Sequence, residues 1–490
     1  MTEYEPVIGL EVHAQIRTRS KMFCGCPADY HDAPPNSHVC PVCLALPGSL
    51  PVINREAVRA VIMTGLALRA TIAEHTKFDR KNYTYPDLMK GYQISQYDLP
   101  ICTGGYLEFD LDGQTKRVGI TRVHLEEDVA KLFHRIDPAT GEPYSLVDVN
   151  RSGVPLMEMV GEPDIRSAEE ARQYLMKYRA ILQFLGVSEG NMEEGNFRCD
   201  ANVSIRPKGS REYGTKVEVK NMNSFRAVYR ALQFELERQA RLLDGGKRVA
   251  QETRGWVEER GETVSMRSKE HAHDYRYFPE PDLPPLHISR AWVSEIAERT
   301  PELPDEKRAR YVTHYGLSAY DAAMLTLAPA TARFFEGVLE AGGDGRAAAI
   351  AKPAANWIIT EFGRLLNDTR TQIEESNVKP AHLAELIGLI EQNVIGTAQA
   401  KTAFEEMFRS GKTAKAVVDE LGLRQITDSG ALADSVRQAI AQYPQAVDDF
   451  RKGKDAASKF LVGQVMKLTK GKANPTVVAQ VVKEQLEALR

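Results

Sequence analysis

Strict alternation of apolar and polar residues, repeated in three separate segments, restricts this chain to folds built on a sheet with one polar face. In Val7 to Ile16, the residues Ile8, Leu10, Val12, Ala14 and Ile16 share one face; Val7, Gly9, Glu11, His13 and Gln15 share the other. Successive side chains of a strand point to opposite faces, so this pattern lays one face on a core. In Arg198 to Arg206, Cys199, Ala201, Val203 and Ile205 oppose Arg198, Asp200, Asn202, Ser204 and Arg206. In Lys216 to Lys220, Val217 and Val219 oppose Lys216, Glu218 and Lys220. Such segments suit a largely antiparallel sheet.

A solvated sheet face explains any one of these segments alone. Together they show a chemical pattern, because each polar face carries a carboxylate flanked two residues away by polar or basic groups. His124-Leu125-Glu126-Glu127-Asp128 adds three consecutive acids after the apolar-rich Val118 to Val123. Clustered like charges repel unless cations compensate them. Two Mg²⁺ ions gripping the phosphates of ATP would do so through hard oxygen ligands. His13 suits Mn²⁺ better, or orients a ligand or substrate instead. No phosphate loop competes, since Gly411-Lys412-Thr413 has Glu406 where the Walker pattern requires glycine.

Cys24-Gly25-Cys26 and Cys40-Pro41-Val42-Cys43 form a CxC…CxxC set with a thirteen-residue spacer. Four thiolates at these spacings favour a tetrahedral structural Zn²⁺ over disulfides, with reduced free thiols as the alternative. Cys102 and Cys199 read as buried thiols, Cys199 from its place on an apolar strand face.

At 490 residues the chain has room for two to four domains. Its character changes near residue 290, after the proline-rich Phe278 to Pro285, from short alternating segments to a helical pattern rich in Ala, Leu and Glu. The expected division is residues 1–292, with the cysteine insertion at 24–43, then a helical domain at 293–410 and a small helical tail at 411–490. Ser167-Ala168-Glu169-Glu170 predicts a helix with a capping box, ended by Gly186, and a second helix is expected from Ser224 to about Leu243. The net charge of −4 excludes a nucleic-acid binder held mainly by bulk charge. The last forty residues differ, with nine Lys or Arg against three acids, which reads either as a solvated helical surface or as an RNA-backbone contact. The acidic opening has no signal-peptide pattern and no long apolar run appears, so no membrane span and a cytoplasmic location are expected.

Several ordered strings resemble the B subunits of the tRNA-dependent amidotransferases (the Gat family). They are Val7-Ile8-Gly9-Leu10-Glu11-Val12-His13, Arg80-Lys81-Asn82-Tyr83, Gly91-Tyr92-Gln93-Ile94-Ser95-Gln96, His124-Leu125-Glu126-Glu127-Asp128 and Asn150-Arg151-Ser152-Gly153. Arg198-Cys199-Asp200-Ala201-Asn202, Lys220-Asn221-Met222-Asn223 and Tyr275-Arg276-Tyr277-Phe278-Pro279 continue the series, which covers the first 290 residues. The resemblance implies an α+β cradle related to glutamine synthetase, followed by a helical domain and a small tail that hold tRNA. It implies that Glu11, His13, Glu126, Glu127, Glu158, Asp200 and Glu218 form an acidic, metal-binding kinase pocket. Lys81 and Arg151 are candidates for holding phosphate oxygens, or ordinary ion pairs. The implied reaction phosphorylates the side chain of Glu-tRNA(Gln) or Asp-tRNA(Asn) with ATP, and ammonia then displaces phosphate. Ammonia would come from a glutaminase A subunit, with a small C subunit in the assembly. An archaeal sister subunit carries a large inserted domain for which this chain has no room. The rival readings are a stand-alone ATP-dependent amide ligase of the glutamine-synthetase type, and a zinc-containing tRNA-binding scaffold without catalysis.

Overall fold

The three alternating segments become neighbours in one ten-stranded sheet. The computed structural model describes residues 3–268, 275–343, 345–426, 428–451, 454, 456–469 and 471–489. Lys452, Asp455, Lys470 and Arg490, four of the charges in the basic tail, lie outside them. The chain forms two units, Met1–Leu303 and Pro304–Arg490.

The sheet of the first unit runs Glu262–Ser268, Glu252–Val257, Val217–Lys220, Phe197–Pro207, Tyr4–Gln15, Pro155–Gly161, Gln114–Glu127, Cys102–Thr103, Thr71–Ile72. Tyr106–Leu111 also pairs with Gln114–Glu127. All neighbours are antiparallel except Val217–Lys220 beside Glu252–Val257. The first strand is therefore central, and its apolar face (Ile8, Leu10, Val12, Ala14) is buried.

That face is covered by the helices Arg55–Ala67, Ala168–Phe184 and Phe225–Asp244, which share one core with it. The Ser167 hydroxyl caps the second helix by accepting from Glu170 N at 3.0 Å. Glu170 reaches back to Arg166 N at 2.6 Å rather than to Ser167, so only half of the expected capping box forms. Gly186, at φ +67°, ends the helix in the left-handed conformation that glycine adopts without strain. Ser224 caps the third helix through Ala227 N at 3.0 Å.

One irregularity decides which side chains face the cleft. On Gln114–Glu127, Arg122 lies opposite Val160 but Ile120 lies opposite Gly161, so Thr121 is an extra residue in the pairing. A bulge of this kind reverses the alternation along its strand. Before it Val118 and Ile120 are buried in the core, and after it Val123 and Leu125 are. Arg122, His124 and Glu126 are thereby turned to the opposite face.

The helix Arg290–Arg299 belongs to the first unit, with Ile296 in its core and the Arg55 guanidinium 5.0 Å from the Trp292 ring centroid. The unit thus extends past residue 292. The described residues of the second unit are helical apart from turns and an isolated bridge, and hold two apolar cores. The helix Ala414–Glu420 contributes Ala414, Val417 and Val418 to the first of these, and the second core begins beyond it, at Leu432. A backbone bridge joins the two parts, with Ile426 N donating to Lys472 O at 2.8 Å. Among the described residues no helix is long and apolar enough to cross a membrane.

Candidate active site

Strand register assembles the site. His124 lies opposite Glu158, Glu158 opposite His13, and His13 opposite Arg198, so one row crosses four strands. On the same face Glu11 lies opposite Asp200, and Asn202 opposite Glu218. Apart from Asn202, these side chains floor a cleft of about 1000 Å³, walled by Lys81, Tyr83, Gln93, Tyr97, Tyr275 and Tyr277. Lys81 and Gln93 come from a small sheet of Asp79–Asn82, Tyr92–Ser95 and Phe278–Pro279.

The centre of the floor is crowded with charge. His13 Nε2 lies 3.3 Å from Glu158, 3.6 Å from Glu126 and 3.8 Å from Glu11. His124 Nε2 lies 3.4 Å from Glu158 and 3.9 Å from Glu126. Ser95 Oγ donates to Glu126 at 3.1 Å. Burial opposes the charge on His13, yet Glu158, Glu126 and Glu11 outweigh it and raise its pKa to about 9. Burial also opposes ionisation of Glu158, but His124 and His13 hold its carboxyl well below the usual range. Burial, and then Glu158, push Glu11 up. Two sets of donors, Glu11–His13–Glu158 and His124–Glu126–Glu158, each lie within 4.8 Å of one another and could hold a metal ion. Glu158 is common to both.

Beside this centre Lys220 contacts Asp200 and lies 3.2 Å from Glu218, and Thr253 donates to Glu218 at 2.8 Å. Lys81 overlooks the floor. Its burial is outweighed by Glu126 and Glu158, which keep its pKa above the ordinary lysine value.

Two expected residues are elsewhere. Glu127 follows Glu126 directly on a strand and so points to the other side, where it is paired with Lys90 at 2.6 Å and accepts from Ile94 N at 3.0 Å. The Arg151 guanidinium donates to the Val129 and Ala130 carbonyls, both at 2.8 Å, and lies 3.8 Å from Asp128. It braces the cleft's edge and does not line it. His124, Arg122, Arg198 and Lys220 line the cleft, although sequence reasoning gives them no role. His124, Arg198 and Lys220 each sit two residues from an expected acid on their strand and Arg122 four residues from Glu126, and that even spacing is the available signal.

Asp128 anchors the edge, accepting from Gln15 at 2.7 Å and pairing with Arg198 at 3.2 Å. Burial raises its pKa, but Arg198 and Arg151 prevail and set it at about 2. A carboxyl lowered this far from its ordinary value contributes about 2 kcal/mol of stability above its unfolded pKa, lost as the pH falls through the folded one. Asp128→Asn is expected to lose that contribution. In urea titrations the gap between wild type and variant should shrink to roughly half between pH 5 and pH 3. A gap independent of pH would show that the carboxylate charge is not what Arg198 and Arg151 require.

Apart from the cleft, the Sγ atoms of Cys24, Cys26, Cys40 and Cys43 lie within 4.8 Å of one another and could hold a further metal ion.

Comparison with known proteins gives this geometry a family. Residues 6–294 match the model of the GatB/GatE catalytic domain, and residues 333–486 match that of a GatB domain. The chain is 53% identical over 494 residues to the B subunit of the aspartyl/glutamyl-tRNA(Asn/Gln) amidotransferase from Dehalococcoides mccartyi (strain CBDB1), covering 99% of this chain and 100% of that protein. It is 53% identical to the corresponding B subunit from Carboxydothermus hydrogenoformans, over 100% of both chains, and 55% identical to that from Herpetosiphon aurantiacus, over 99% of both. Alignment along the whole of such relatives leaves no space for an inserted domain. Every alternating segment that builds the acidic floor falls within the catalytic-domain match, and the chain belongs to the family of aspartyl/glutamyl-tRNA(Asn/Gln) amidotransferase B subunits.

Proposed function

We propose that this chain is the kinase and transamidase subunit of a tRNA-dependent amidotransferase. Its reaction converts Glu-tRNA(Gln) or Asp-tRNA(Asn) to the amide with ATP and ammonia. The observation that carries the reading is the pair of donor triads sharing Glu158 at the centre of the catalytic-domain sheet.

A carboxylate is a poor acceptor for ammonia because its oxygen leaves badly. One carboxylate oxygen of the tRNA-borne side chain attacks the γ-phosphorus of ATP, ADP leaves, and an acyl phosphate forms. Ammonia adds to the carbonyl carbon, phosphate departs with the bonding pair, and a proton is lost from nitrogen. Phosphoryl transfer is governed by alignment and charge neutralisation.

The donor set of carboxylates and two imidazoles fits Mg²⁺ and, because of the imidazoles, fits Mn²⁺ better. When bound, such ions neutralise phosphate charge. Glu11, His13 and Glu158 would hold one ion and His124, Glu126 and Glu158 a second, with Asp200 and Glu218 beside them. Lys81 directs its ammonium to the phosphate oxygens. Glu127 and Arg151 position neighbouring backbone. The polar sheet is read as a cradle of the glutamine-synthetase kind.

The four cysteines fit Zn²⁺. Tetrahedral Zn–S bonds set sulfurs roughly 3.8 Å apart, and Cys40 and Cys43 are 3.9 Å apart. Ammonia is delivered by a glutaminase A subunit, with a small C subunit in the complex, and the helical second unit with its basic tail holds tRNA. The setting is the cytoplasm.

The test is conversion of labelled Glu-tRNA(Gln) and Asp-tRNA(Asn) by the reconstituted complex with ATP, Mg²⁺ and ammonium chloride. Conversion dependent on ATP is expected for one or both substrates. Conversion of neither, with tRNA still bound, would replace the reading with that of a scaffold.

A further inference from the structure

The cleft has a second chemistry that the acidic floor does not use. Four tyrosines line its wall, Tyr83, Tyr97, Tyr275 and Tyr277. Tyr97 and Tyr277 are stacked, with ring centroids 4.2 Å apart and planes within 8° of parallel. Tyr275 meets Tyr277 edge-on at 6.0 Å and Tyr83 edge-on at 5.7 Å. Offset-parallel and edge-to-face contacts are the arrangements that aromatic quadrupoles favour, so the four rings hold one another in place. Tyr97 nevertheless remains 54% exposed, which leaves much of a flat apolar ring beside a polar cleft.

The backbone is fixed to present these rings. Tyr97 N donates to Asp79 Oδ2 at 3.0 Å. Asn82 donates from its backbone N to Tyr275 O and from Nδ2 to Arg276 O, both at 2.8 Å. Between the two tyrosines, Arg276 has φ +44°, a left-handed conformation that costs a residue with a side chain energy and persists where surroundings impose it. The bonds from Asn82 supply that constraint on either side of it.

We propose that the Tyr97–Tyr277 pair is a stacking platform for an adenine ring. The assignment deepens the proposed reaction and rests on it. Carboxylates and bound cations suit phosphates and a reacting carboxyl, but offer nothing to the face of a base. A purine stacks on aromatic rings, and among the residues lining this cleft the extended aromatic surfaces are the tyrosines. Both reactants carry adenine, ATP in its base and aminoacyl-tRNA in its 3′-terminal adenosine. The platform takes the shared ring, and kinetics separates the two sources.

The experiment uses the reconstituted complex with ammonium as donor and compares Tyr97→Ala and Tyr277→Ala with Tyr97→Phe and Tyr277→Phe. Loss of a stacking ring costs roughly tenfold or more in affinity for the stacked base. The alanine variants are expected to raise KM by about that factor for one substrate, with kcat changed less and melting temperature held. The phenylalanine variants, which keep the ring, should stay close to wild type. A rise in the KM of ATP assigns the platform to the nucleotide; a rise in the KM of aminoacyl-tRNA assigns it to the terminal adenosine. Unchanged KM for both substrates overturns the proposal, as does equal damage from phenylalanine and alanine.

A second measurement separates this result from failure of the reaction itself. 2-Aminopurine riboside triphosphate, and tRNA ending in 2-aminopurine, lose fluorescence when the base stacks. Quenching by wild type and its loss in the alanine variants would support the platform even if no amide formed. No quenching of either probe by wild type would overturn it.

Discussion

Glu158→Gln is expected to reduce ATP-dependent amidation by about a thousandfold or more, with tRNA binding retained. Glu158 lies nearer to both histidines than Glu126 does, at 3.3 and 3.4 Å, and belongs to both donor sets. Glutamine preserves its shape but removes the charge and one acceptor oxygen, so both proposed ion positions lose their shared anionic ligand at once. It also removes the nearest anion from His13 and His124, leaving them the more distant Glu126. Removing Glu11 or Glu126 affects one set only and should cost less. Glu127→Gln should cost at least tenfold less than Glu158→Gln, because Glu127 pairs with Lys90 on the other side of its strand. Single-turnover conversion with saturating ammonium, beside a filter-binding measurement of tRNA affinity, reads both quantities. Glu158→Gln activity within about tenfold of wild type would remove the shared ligand from the mechanism, and a larger loss at Glu127 would place the reacting groups on the wrong face.

Much of this could be read in the chain before it was folded, and the reasons for the remainder are specific. Alternation over Val7 to Ile16 and Arg198 to Arg206 already puts Glu11, His13 and Asp200 on one face, and the register keeps them there. Glu158 also obeys alternation. Met157 and Met159 are core residues, and a carboxylate between two buried neighbours on a strand must face the other way. The same rule applied to Glu126 and Glu127 separates them, although their adjacency in a resemblance motif invites treating them as a pair. What alternation alone misleads about is the stretch before them. Val118 and Ile120 have the parity of His124 and Glu126, yet they are core residues. The extra residue at Thr121 that reverses the pattern depends on pairing with Val160 and Gly161, and pairing between distant segments is absent from local periodicity. Arg151 shows a different limit. A guanidinium satisfies carbonyls as readily as phosphates, and only the fold reveals that Val129 and Ala130 present theirs to it.

Withdrawing the zinc proposed for the four cysteines should loosen the cleft's edge without unfolding the sheet. Structural zinc sites hold their ion with apparent free energies of about 10 kcal/mol or more at neutral pH, and much of that is folding energy of the segment they close. The segment from Cys24 to Ser49 contains no strand or helix of its own among the main elements, so little else orders it. Yet it supports the loop that carries Arg151. Asn36 donates from Nδ2 to Val147 O and accepts from Val149 N, at 3.1 and 2.7 Å. Asn150 donates to Pro34 O and accepts from His38 N, both at 2.8 Å. The buried Lys21 ties the two together, donating to His38 O at 2.8 Å and Val149 O at 3.3 Å. Loss of the proposed ion should release these bonds in turn, and Arg151 should then hold Val129, Ala130 and Asp128 less firmly. The expected result for Cys43→Ser, or for wild type after chelation, is one equivalent of zinc lost. Amide exchange should rise by about tenfold or more from Lys21 to Ser49 and in Val147 to Arg151, while Tyr4–Gln15 stays protected because its neighbours and its apolar face are unchanged. Exchange confined to the cysteine segment would mean the loop stands without it, and wild-type protein free of zinc would leave four reduced thiols as the better description.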